Sequence, residues 1–139
     1  VLGLKGANSA ELDPKSPHPV VNILPEQEGV DDMGATMRLG DHEVNLSEGK
    51  AKALYGKDTI SERHRHRYEI NPEYIEQIEA KGLKYTGRDI SGRRMEILEL
   101  EGHPYFVASQ FHPEFKSRPD EPSPLHLGLV KAALAHKNG

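Results

Sequence analysis

The chain has 139 residues, a formal net charge of -4, 29% charged residues and 35% hydrophobic ones. That length corresponds to one domain with one ordinary core, spanning 1–139, and its Ile, Leu and Val runs are too frequent for a disordered chain. With no cysteine it has no disulfide, thiolate metal site or sulfur nucleophile of its own, and its acidic balance argues against a general nucleic-acid binder.

The opening VLGLKGANSAE starts inside an apolar pattern and reads as a continuation. VVNIL, at 20–24, is a β-branched run between prolines and is expected to be a buried strand. EQEGVDDMG is a polar loop. ATMRLG and HEVNL flank Gly40 and Asp41, which predicts a hairpin with a two-residue turn. Ser47 is placed to cap a short helix, EGKAKALY, stopped by Gly56. RHRHRYEI alternates as a strand, and Asn71 before Pro72 starts a helix with Tyr74, Ile75 and Ile78 on one face, ending at Gly82. LKYTGR, RMEILEL and YFVAS are three strands, with Asp89 to Gly92 and Glu101 to Pro104 as turns. After the loop SRPDEPSP comes a closing helix, LHLGLVKAALAH, with Leu125, Leu129, Ala132 and Ala133 inward. Consecutive strands on tight turns imply antiparallel pairs, so the fold expected is α/β, a mixed sheet flanked by helices. No run approaches the roughly 18 apolar residues of a membrane span, and no secretion signal is visible, so a cytoplasmic chain without a membrane partner is expected.

RHRHR is the densest cluster. On a strand Arg63, Arg65 and Arg67 face one side and His64 and His66 the other. A nucleic-acid patch, a metal site, a carboxylate-binding arginine fork and a solvated edge strand are the alternatives. The metal reading makes the chain a small cupin-like protein with His64, His66 and Glu69 as ligands, or with His112 as the third.

QFHPEF, at 110–115, is sharper. Pro113 fixes its own φ and pushes His112 toward extended geometry at a strand end, where α/β sheets place much of their chemistry. A carboxylate such as Glu114 can keep one imidazole nitrogen protonated and leave the other as a base. The competing reading is a buried, hydrogen-bonded histidine beside an incidental glutamate.

QFHPEF together with ERHRHRYEIN, GATMRLG, GANSAE and the loop after it resembles the C-terminal part of the class I glutamine amidotransferase domain of the CTP synthase family. The resemblance covers essentially the whole chain and implies a flavodoxin-like amidotransferase fold. It implies a Cys-His-Glu triad that hydrolyses glutamine, in which His112 and Glu114 match the histidine and glutamate. Glu11 and Arg67 match residues that contact the substrate glutamine. GATMRLG departs from the family's GGTMRLG at Ala35.

The resemblance also implies that the cysteine lies upstream of Val1, so this chain is expected to be part of a longer enzyme and inactive alone. The partners implied are L-glutamine, the upstream half of the amidotransferase domain and a synthetase domain, in a homo-oligomeric full enzyme. No cofactor is expected in this chain. ATP and Mg²⁺ belong to the synthetase domain, which activates UTP for amination to CTP, and GTP is an activator. A non-catalytic chain that holds glutamine through Glu11 and Arg67 is the other alternative.

Overall fold

The computed structural model describes residues 2–24 and 37–138. The polar loop EQEGVDDMG and residues 34–36 of GATMRLG, Ala35 included, lie outside them. Along the chain run β1 (Ala7–Ser9), β2 (His18–Asn22), β3 (Arg38–Leu46), α1 (Lys50–Tyr55), β4 (Thr59–His66) and β5 (Glu69–Ile70). A 3₁₀ turn at Pro72–Tyr74 then leads into α2 (Ile75–Glu79), followed by β6 (Leu83–Asp89), β7 (Met95–Leu100), β8 (Val107–Ser109), a 3₁₀ turn at Pro113–Lys116 and α3 (Pro124–Asn138).

Two sheets result, one ordered β1-β2-β5 and one ordered β4-β3-β6-β7-β8. β1 and β2 are parallel and the other pairs antiparallel, so the mixed α/β architecture expected from the tight turns is the one observed. The expected turns are present: the Gly92 N–H donates to the Asp89 carbonyl at 2.9 Å, and Gly102 adopts φ +75° between β7 and β8. Asn71 caps as the sequence predicts, its side-chain oxygen accepting the Glu73 N–H at 3.1 Å, with Pro72 at the first helical position.

Three local expectations are corrected. Gly40 and Asp41 form no hairpin, because β3 runs straight through them and pairs with β4 from Arg38↔His66 to Asn45↔Thr59. Ser47 does not cap α1; its hydroxyl donates to the Thr86 carbonyl at 3.3 Å, and the Glu99 carboxylate accepts the Lys50 and Ala51 N–H groups instead. In α3 Leu125 and Gly128 are buried, whereas Leu129 is 50% exposed and Ala133 also faces solvent.

One core cluster gathers Val44, Leu46, Ile60, Ile97, Phe111 and Leu125, and a second gathers Tyr74, Ile78, Leu83, Tyr85 and Met95. Ile97 and Phe111 are almost fully enclosed, a burial that contributes about 1.5–3 kcal/mol for each side chain. Phe111 sits directly before His112, so the first cluster fixes the backbone that carries the imidazole. No helix among the described residues is long and apolar enough to cross a membrane.

Candidate active site

β4 alternates as RHRHR predicts, with Arg63 and Arg65 exposed and His64 buried. Because β4 is the edge strand of its sheet, the solvated-arginine reading describes Arg63 and Arg65. Arg67 differs: it is half-buried and stands between the end of β4 and the start of β5.

On the inner side, Glu96 of β7 accepts from His64 Nε2 at 2.9 Å and from the Arg38 guanidinium, while His64 Nδ1 lies 2.9 Å from the Glu62 carbonyl. His64 thus stands between the Glu96 carboxylate and the Glu62 carbonyl, one at each ring nitrogen. Burial raises the Glu96 carboxyl, but His64 and Arg38 outweigh it and hold the group below the ordinary carboxylate range. Glu69 lies 3.7 Å from Arg38 and 3.5 Å from Arg94, and burial pushes its carboxyl up to about 7. Burial also pushes the His66 imidazole down to about 4.

The expected ligand set His64, His66 and Glu69 is thus not the one assembled. Atoms of His64, His66 and Glu96 approach within 4.8 Å of one another, and the Arg38 guanidinium already supplies the cation beside Glu96 and Glu69. His112 takes no part in that set. Nothing in MEILEL marks Glu96 or Glu99 as buried, apart from the oddity of two acids in an apolar strand.

QFHPEF leaves β8 and enters the 3₁₀ turn started by Pro113. The His112 N–H donates to the Arg63 carbonyl at 2.9 Å, and the Gln110 N–H donates to the Glu96 carbonyl at 2.8 Å, so the segment is pinned to β4 and β7. His112 Nδ1 and Glu114 Oε1 are 2.8 Å apart, and Phe115 stacks on the imidazole with centroids 5.0 Å apart. The Glu114 carboxyl is held below its ordinary range by its own backbone amide and by the His112 ring. His112 is therefore not a buried core histidine, since its side chain is 39% exposed. With Nδ1 engaged by the carboxylate, Nε2 is the nitrogen left for proton transfer. Lys116 braces the turn, donating to the Ser61 carbonyl at 2.6 Å and pairing with Asp41 at 3.0 Å.

The residues on either side of Arg67 are tied to the segment that carries this pair. The side-chain amide of Gln110, two positions before His112, donates to the Tyr68 carbonyl at 2.9 Å and lies 2.8 Å from His66 Nδ1. Sequence reasoning gave Gln110 no role beyond flanking context. Glu11 is exposed on the turn after β1, its N–H donating to Ser9 Oγ at 3.2 Å. The chain brings this turn to the same small sheet, because the Ala10 N–H donates to the Val21 carbonyl and Val21 pairs with Ile70, just beyond Arg67.

A half-exposed imidazole held by a carboxylate at a sheet end has the geometry that a histidine–carboxylate pair of a nucleophilic site requires. The sequence pattern of Glutamine amidotransferase class-I matches residues 7–132, and the chain belongs to that family. Among its curated relatives, the CTP synthase of Archaeoglobus fulgidus is 59% identical over 99% of this chain, and that of Thermococcus gammatolerans is 56% identical over 100% of it. In each case the chain spans 26% of the relative's length. Among solved structures, the glutaminase domain of Trypanosoma brucei CTPS with bound acivicin superposes with a TM-score of 0.88 at 37% identity. That match covers 97% of this chain and 53% of the other. The fold is accordingly that of a class I amidotransferase domain, and the cupin-like alternative is set aside.

Proposed function

We propose that this chain carries the histidine and glutamate of a Cys-His-Glu glutaminase site that supplies ammonia to a CTP synthase. The observation that carries the reading is the 2.8 Å contact of His112 with Glu114 at a sheet end, in a chain whose relatives are CTP synthases. The 139 residues contain no cysteine, so the sulfur nucleophile is contributed from outside them.

In this mechanism His112 Nε2 takes the proton of the thiol as the sulfur attacks the side-chain amide carbon of glutamine. It then passes that proton to the departing nitrogen, which leaves as ammonia. Water hydrolyses the resulting thioester to glutamate, with the same nitrogen drawing a proton from the water and returning it to sulfur. Glu114 stabilises the imidazolium between these transfers and keeps the ring in one tautomer. Arg67 holds the α-carboxylate of glutamine in a fork geometry and Glu11 its α-ammonium.

The ammonia produced would aminate UTP to CTP in a synthetase domain that uses ATP and Mg²⁺, with GTP as activator; no step of that chemistry is assigned to the described residues. Of GATMRLG, the described part commits the Arg38 guanidinium to Glu96 and Glu69.

The test is His112→Ala in the full-length enzyme. Glutamine-dependent CTP formation is expected to fall by about 10²- to 10⁴-fold, while formation from free ammonia persists. Loss of both activities together, or of neither, would remove His112 from the proposed role.

A further inference from the structure

We propose that Gln110 is the positioning residue for glutamine capture, its side-chain amide tying the backbone on which Arg67 stands to the strand end that carries His112. The inference rests on the reading of His112, Glu114 and Arg67 given above.

Gln110 itself is held firmly. Its N–H donates to the Glu96 carbonyl at 2.8 Å, and the next residue, Phe111, is 2% exposed with its ring edge against His64 at 5.8 Å. The side-chain amide nitrogen donates to the Tyr68 carbonyl at 2.9 Å and lies 2.8 Å from His66 Nδ1, so it engages the residues on both sides of Arg67. The Tyr68 carbonyl and His66 Nδ1 lie 3.2 Å from each other, so the Gln110 amide joins a contact that already spans Arg67.

This matters because residues 67 and 68 lie outside both strands, β4 having ended at His66 and β5 beginning at Glu69. Among the described residues, neither belongs to a strand ladder. A substrate gripped at its carboxylate by Arg67 and attacked at its amide beside His112 needs those two points at a set separation. Gln110 supplies that separation through a single residue, with its main chain leading to His112 and its side chain to the Arg67 segment.

The experiment compares Gln110→Met and Gln110→Glu with the parent full-length enzyme, measuring CTP formation from glutamine and from free ammonia. Methionine keeps the length without the donors, whereas glutamate places an acceptor against the Tyr68 carbonyl. The expected result is a KM for glutamine raised about 10-fold by methionine and further by glutamate, with kcat within about threefold of the parent. Ammonia-dependent formation stays at the parent level, which reports that the synthetase chemistry is intact, and the retained kcat with glutamine reports that the amidotransferase fold is. An unchanged KM for glutamine in both variants overturns the proposal. So does an equal loss of both activities, which would make Gln110 a folding residue. His112→Ala run beside them separates the two levels of inference: if it leaves glutamine-dependent formation intact, the site reading itself fails, whatever the Gln110 variants do.

Discussion

Glu99, on β7, caps α1 from across the sheet: its carboxylate accepts the N–H of Ala51 at 3.0 Å and that of Lys50 at 2.8 Å, and takes the Thr86 hydroxyl at 2.7 Å. The residue preceding the helix, Gly49, has no side chain to do this. A Cβ there would lie 2.7 Å from Glu99 Oε1 and 2.9 Å from Thr86 Cγ2. Glycine thus leaves room for a remote carboxylate to satisfy the first turn and to meet the positive end of the helix dipole. Glu99→Ala is expected to cost about 1–2 kcal/mol of stability, read from denaturant midpoints at constant m-value. An unchanged midpoint would mean that water caps the helix equally well.

Gly87, on β6, faces Ile97 of β7 at a register irregularity, where an added Cβ would meet the Ile97 Cβ at 2.8 Å and Cγ1 at 2.7 Å. Those atoms belong to the rigid base of a β-branched side chain that is 1% exposed, so they have nowhere to go. Gly87→Ala is expected to destabilise by about 1–3 kcal/mol, more than the backbone-entropy gain of about 0.4–1 kcal/mol can offset. Thermal unfolding of the variant reads the sign directly.

His66 and Glu69 give opposite pH dependences. The folded imidazole titrates at about 4, well below its ordinary value of 6.5, so the unfolded chain binds more protons between those limits and stability rises with pH there. The folded Glu69 carboxyl titrates at about 7 against an ordinary 4.5, so the native state binds more protons and stability falls as pH rises over that window. Each effect is worth about 3.5 kcal/mol at about 1.4 kcal/mol per pH unit, and the two nearly cancel between pH about 4.5 and 6.5. Single variants should unmask them. Stability of Glu69→Gln should climb across that range, and that of His66→Asn should decline. Parallel profiles for the two variants would show that neither group is shifted as described.

Glu114→Gln keeps the size of the side chain that faces His112 Nδ1 and removes its charge. The expected outcome is a fall of at least about 100-fold in glutamine-dependent kcat with little change in the KM for glutamine, because the imidazolium loses its counter-charge while the substrate contacts stay. A change confined to KM would make Glu114 a binding residue.

Features written in neighbouring residues were legible from sequence: Asn71 before Pro72, Gly92 closing the turn from Asp89, the in-and-out alternation of RHRHR, and the His-Pro-Glu spacing. Features set by distant pairing were not. Gly40 looks like a turn residue, and its φ of +86° is one that glycine favours, yet the pairing with β4 extends β3 on both sides of it. Ser47 is the locally obvious cap, but the carboxylate that does the capping comes from residue 99. In α3 the apolar residues recur on every face, so periodicity alone could not tell Leu125, which is buried, from Leu129, Val130 and Leu134, which are 50–54% exposed. Within the candidate site the His112–Glu114 pair could be read from spacing, whereas the amide bridge of Gln110 to the Arg67 segment joins parts of the chain that are neighbours only after folding.

The stacked ring of Phe115 on His112 gives the imidazole a spectroscopic signature. With centroids 5.0 Å apart and planes inclined by 28°, the ring current of the phenylalanine acts on the imidazole and displaces its Cε1–H and Cδ2–H resonances from those of an unstacked histidine. Cε1–H and Cδ2–H are chemically inequivalent and give separate resonances, and a half-turn of the ring would carry Nδ1 away from Glu114. Proton traffic at this site can therefore be followed on one ring, nucleus by nucleus, without a chromophore or a bound inhibitor.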